Sequence, residues 1–115
     1  MIAVIFEVEP QAGKKQQYLD IAAGLKPILE EIDGFISVER FQSLTNDRKL
    51  LSLSFFRDEK AIYQWRSMQQ HRNAQIAGRE TMFENYRLRI AGVIRDYGMH
   101  ERDEAPVDSR EVHRE

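Results

Sequence analysis

Trp65 and His71 stand six residues apart in a stretch of helical periodicity, and their side chains are suited to chemistry on a flat molecule. Indole offers a broad π-face and one N–H donor. Imidazole titrates near neutrality and can take up or return a proton. Each residue also has a plainer role. Trp65 fits the Ala61/Met68 spacing of a core anchor, and His71 suits the negative C-terminal end of a helix.

Around this pair, Tyr18, Phe41, Tyr63 and Tyr86 are candidates to line an aromatic cleft, with ordinary core packing as the alternative. Stacking surfaces with one or two donors are what a hydroquinone would need. Arg40 and Arg57 fall on predicted strands, where Glu39 and Asp58 are the nearby acids. The histidines at 71, 100 and 113 are too widely spaced for a metal site, so none is expected. No glycine-rich phosphate loop or nucleophile elbow is present.

The chain that must position these groups has 115 residues, enough for one core. Hydrophobic residues make up 42% and charged residues 31%, the balance of a folded globular protein. Cysteine is absent, which excludes disulfides, thiolate nucleophiles and iron–sulfur clusters. No apolar run approaches the roughly 20 residues that cross a bilayer, and the opening Met-Ile-Ala-Val-Ile-Phe-Glu lacks a secretory pattern. A cytoplasmic location is expected. The net charge of −2 gives no bulk reason to bind nucleic acid or an anionic membrane, and Arg87-x-Arg89 lacks an aromatic ladder for RNA. Residues 99–115 carry nine charges and few apolar groups, so the domain is expected over 1–98 with 99–115 as a tail. Residues 103–115 are expected to be mobile or to lie across a partner subunit.

Period-two alternation predicts a strand over 2–9, broken by Pro10 and Gly13. Tyr18, Ile21, Ala22, Leu25, Ile28, Leu29 and Ile32 predict a helix over 14–32 that Pro27 kinks or divides near Lys26. Gly34 suits a left-handed cap. Strands follow over 35–43 and 49–57, joined by a turn at Thr45–Asp47. Asp58 is placed to cap a helix over 59–72, and residues 73–80 continue as looser helix or turn. Residues 82–97 predict a long last strand. The order β-α-β-β-α-β implies an α+β, ferredoxin-like fold with an antiparallel four-stranded sheet and both helices on one face.

The other sheet face should not meet water. Leu50-Leu51, Phe55-Phe56 and Ala3/Ile5 against Ile2/Val4 place apolar groups on both sides of their strands. Burying ~600 Å² of such surface per subunit is worth on the order of 15 kcal/mol before association costs. A homodimer packed sheet to sheet is therefore expected.

The chain resembles the antibiotic biosynthesis monooxygenase family of dimeric α/β barrels over residues 1–97. The resemblance rests on Pro10-x-x-Gly13, Asp33-Gly34-Phe35-x-Ser37-x-Glu39, Leu51-x-Leu53-Ser54-x-Phe56 and Trp65-Arg66-x-Met68-x-x-His71. It implies a cofactor-independent monooxygenase acting on a small aromatic or quinol-like compound in a cleft between sheet and helices. Trp65 holds the place of the helix tryptophan that packs on the macrocycle in haem-degrading relatives; Trp65 and His71 are the catalytic candidates, and Phe6, Phe41, Tyr63 and Tyr86 the substrate-binding ones. Haem-degrading relatives, for which haem is substrate rather than cofactor, give the alternative. In them an Asn takes the place that Phe6 holds here, and the axial histidine lies further along the helix than His71. A non-catalytic, ligand-binding or stress-associated dimer is the other alternative.

Overall fold

The structure is a computed structural model, and it describes residues 1–75 and 82–108. Its elements run β1 (Ile2–Pro10), α1 (Lys15–Glu30), β2 (Phe35–Gln42), β3 (Leu50–Phe56), α2 (Glu59–Gln75) and β4 (Phe83–Gly92). The sheet order is β2-β3-β1-β4, and every neighbouring pair is antiparallel. This is the ferredoxin-like α+β fold that the element order implied.

Register sorts the strand residues into two faces. Ile2, Val4, Phe6 and Val8 of β1 pair with Phe56, Ser54, Ser52 and Leu50 of β3, and with Gly92, Ile90, Leu88 and Tyr86 of β4. These share the helix-covered face, because directly opposed residues of antiparallel strands point the same way. Val8 and Leu50 close over Tyr18 and Ala22 of α1. At the other end of the sheet, Phe56 packs with Leu29, Ile32, Ala61 and Ile62, with no exposed surface of its own. The alternate residues, Ala3, Ile5, Leu51, Leu53 and Phe55, form the second apolar face, which no helix covers.

Most element ends fall within two residues of the sequence expectation, and three larger differences stand out. α1 runs through Pro27 without a break. Pro27 is solvent-exposed, while Leu29 and Ile32 beyond it are buried, and that burial outweighs one lost backbone hydrogen bond. α2 extends to Gln75 rather than 72. β4 stops at Gly92 rather than 97 because its partner β1 begins at Ile2, opposite Gly92. One further bond, from the Val93 N–H to the Met1 carbonyl, closes the ladder.

Residues 96–105 fold back on themselves. The Asp96 N–H donates to Glu104 at 2.8 Å, the Gly98 N–H to the Glu101 carbonyl at 2.8 Å, and Arg102 stacks over the Tyr97 ring. Ala105 is buried. The charged segment therefore begins as an ordered hook, and residues 109–115 lie outside the described residues.

Candidate active site

Asp58 starts α2. Its carboxylate accepts the Ala61 N–H at 3.0 Å, and this bond is the main reason its pKa lies below the ordinary aspartate value. Arg57, one residue earlier, forks onto Asp33 with two bonds of 3.2 Å and also reaches Asp58 at 3.3 Å. The end of α1, the end of β3 and the start of α2 are thereby tied at one corner. All three side chains are well exposed, so the tie orients more than it stabilises.

From that fixed start, Glu59, Ile62, Tyr63 and Arg66 fall at positions i, i+3, i+4 and i+7, one stripe of α2. The stripe faces Ile90 of β4 and, with Lys60, bounds an open cleft of about 370 Å³. Ile62 and Ile90 are apolar, Tyr63 supplies a ring that is 70% exposed, and Lys60, Arg66 and Glu59 ring the mouth. Among the described residues, no hydrogen bond or ion pair holds the Arg66 guanidinium.

Tyr86, Leu88 and Ile90 continue the cleft as an exposed apolar stripe along β4. At its far end the rings interlock. Phe6 lies 5.7 Å from Tyr86 and 6.0 Å from Phe83, and Phe83 meets Tyr18 edge-on at 5.8 Å. Tyr18 is buried, which pushes its phenol above the ordinary tyrosine value, while nearby Arg40 pulls it back in part.

The structure thus brings together three of the expected substrate-binding residues on one face: Phe6 and Tyr86 in direct ring contact, and Tyr63 across the cleft from the same strand. Phe41 is not among them. It pairs with Leu51, whose partner on the other side is Glu7, on the uncovered sheet face, because register puts Arg40 rather than Phe41 on the helix side. Trp65 packs against the Leu29, Ile32, Phe56, Ala61 and Ile62 cluster and does not line the cleft. The backbone of His71 lies in α2, and its side chain falls outside the described residues. Ile62, Arg66 and Ile90 were not singled out as site residues. The i, i+3, i+4, i+7 stripe starting at Glu59 was the signal that could have found the two on α2.

The antibiotic biosynthesis monooxygenase family model matches residues 1–77. The chain belongs to that family. It is 44% identical over 112 residues to the jasmonate monooxygenase ABM of Pyricularia oryzae, a match spanning 96% of this chain and 52% of that protein. The chain therefore spans about half the length of this relative. Among solved structures, Rv0793 of Mycobacterium tuberculosis aligns with a TM-score of 0.71 at 14% identity, over 84% of this chain and 98% of that one. The haem degrader MhuD of M. tuberculosis, with two hemes bound, aligns at 0.65 and 17% identity, over 85% and 100%. These structural likenesses establish the fold.

Proposed function

We propose that the chain is a monooxygenase that oxidises a small aromatic or quinol-like compound in the α2–β4 cleft without flavin or metal. The observation that carries this reading is the union of an apolar floor (Ile62, Tyr63, Ile90) with a rim of two cations (Lys60, Arg66) and one acid (Glu59). The floor accepts a flat ring. The cations stabilise the enolate or phenolate that forms when such a ring loses a proton.

The substrate can supply every electron. A methylene activated by two aryl groups loses a proton, and the carbanion passes electrons to dioxygen. One oxygen atom ends on that carbon as a ketone, and the other leaves as water with the two hydrogens. His71, whose backbone lies in α2, is the proton acceptor in this reading because an imidazole can take up and return a proton near neutrality. Trp65 acts beside the ligand or behind it as anchor, and Trp65→Phe separates the two roles.

The working form in this reading is a homodimer joined through the uncovered sheet face. That face presents Ile5, Leu51, Leu53 and Phe55, and no helix lies over them. A cytoplasmic location belongs to the same reading and is tested by cell fractionation.

The test is oxygen uptake with a panel of hydroquinones and anthrones, plus jasmonate with ascorbate as electron donor because of the relative's name. Uptake is expected with at least one compound, and His71→Ala should reduce it by about 100-fold or more. Uptake absent throughout, or indifferent to Tyr63→Ala and His71→Ala, would leave a ligand-binding protein instead. A haem titration without a Soret shift would remove the haem-degrading alternative.

A further inference from the structure

The two cations of the α2–β4 cleft stand in different company. Lys60 lies in the first turn of α2 beside Glu59, and it helps to hold the carboxyls of Asp33 and Asp58 below their ordinary pKa. Glu59 itself suits the positive N-terminal end of the helix. That end of the cleft therefore carries its own countercharge. Arg66 lies six residues on, about 9 Å further along the helix axis. Of the residues that line the cleft only Glu59 is acidic, and it stands about two turns away from Arg66. Among the described residues, the Arg66 guanidinium makes no hydrogen bond or ion pair. The wall opposite is apolar. Tyr86, Leu88 and Ile90 are exposed on the helix side of β4, while Arg87 and Arg89 alternate onto the other face.

We propose that Arg66 determines specificity by holding a carboxylate that the substrate carries throughout, so that the cleft selects small apolar monocarboxylic acids. This rests on the cleft reading above and divides its two cations. Arg66 takes the charge with which the substrate arrives, and Lys60 is left for the oxyanion that forms during oxidation. The guanidinium fork meets a carboxylate with two parallel N–H donors, a match that an ammonium lacks. The apolar body of the acid lies on Ile62, Tyr63 and Ile90, with Leu88 and Tyr86 continuing the surface. A ring seated there displaces water beside Arg66 and so strengthens the pair.

Charge decides among the anions. A phenol keeps its proton near neutrality, with an ordinary value of about 10, whereas a carboxylic acid is ionised above about pH 4. Arg66 therefore separates an acid from a plain phenol before any reaction begins. A phosphate monoester carries close to two charges at neutral pH. One uncompensated guanidinium would leave part of that charge unpaired against an apolar wall. The cleft volume, about 370 Å³, suits a small molecule rather than a macromolecule.

The experiment is isothermal titration calorimetry of the full chain with naphthylacetate and with its neutral analogue naphthylacetamide, in wild type, Arg66→Gln and Arg66→Lys. Wild type should bind the acid about tenfold more tightly than the amide. Arg66→Gln should abolish that preference and leave the amide's affinity unchanged. Arg66→Lys should keep part of the preference, because the charge remains and the fork is lost. Arg66 is exposed, so both variants should melt with wild type, which thermal denaturation checks. Equal affinities in wild type, a preference that survives Arg66→Gln, or no binding of either probe at millimolar concentration would overturn the proposal. Binding needs no oxygen, so this inference and the oxidation reading fail separately. Acid preference without oxygen uptake from any compound would leave an acid-binding protein anchored by Arg66. Uptake with a neutral anthrone and no acid preference would keep the oxidation and remove the anchor.

Discussion

Gly34 lies directly against Ala61, so that a Cβ added at position 34 would come 3.0 Å from the Ala61 Cβ and 3.4 Å from the Arg57 guanidinium. Its backbone also has a φ of +98°, in the left-handed region. One residue thus lets β2 start beneath the first turn of α2, the helix whose stripe bounds the cleft.

Gly34→Ala meets both obstacles, the backbone sign and the neighbouring methyl. It should cost about 1–3 kcal/mol. Urea titration at neutral pH measures this. A loss below a few tenths would show that the corner relaxes freely.

Acid should weaken the same corner. Asp58 and Asp33 have folded pKa values below their ordinary range, Asp58 first through the Ala61 N–H and Asp33 first through Arg57. The folded state therefore binds these protons less readily than the unfolded chain. Their contribution is whole above the unfolded aspartate range, near pH 4, and is lost as pH falls through the lower folded values. Melting temperature followed from pH 6 to 3 should fall more steeply in wild type than in Asp58→Ala. The variant itself should melt a few degrees lower at pH 7.

Arg40 tests the opposite kind of site. Its Nε is buried with no hydrogen-bond partner, against the helix-covered face beside Tyr18. Replacing a buried, partly unsatisfied polar group by an apolar one of similar reach removes its desolvation cost. Arg40→Met should leave stability unchanged or raise it by up to about 1 kcal/mol. A clear loss in thermal denaturation would show that the guanidinium is held by more than its neighbours suggest.

Trp65→Phe distinguishes packing from ligand contact. The indole belongs to the cluster around Phe56, so the substitution should cost about 1 kcal/mol of stability through lost buried surface. Tyr63→Ala, at an exposed cleft position, should barely change the melting temperature and should raise KM instead. An unchanged melting temperature with a collapsed kcat in Trp65→Phe would move the indole to the ligand face.

Much of this was legible in the residues. Alternation in Ile2–Val8 fixed one strand, the Asp58 carboxylate announced a helix start, and Asp33-Gly34 marked a left-handed corner. Those signals are local, and local chemistry decided them. Face assignment is not local. Phe41 and Arg40 are adjacent, and only pairing with Leu51 and Ser52 determines which one turns toward the helices. The end of β4 depended on where β1 begins, and Pro27 on how deeply Leu29 and Ile32 are buried. Ile90 joined the cleft for the same reason: a residue 28 positions from Ile62 becomes its neighbour only through the sheet.

Oxygenation under ¹⁸O₂ addresses the central claim, that the α2–β4 cleft lets a substrate pass its own electrons to dioxygen. The chelator-treated, flavin-free protein is incubated with an anthrone found active in oxygen uptake, and the product is weighed by mass spectrometry. One ¹⁸O atom per product molecule, lost in step with activity in Tyr63→Ala, is the expected result. A product without label, or label that arrives only after flavin or metal is added, would contradict it.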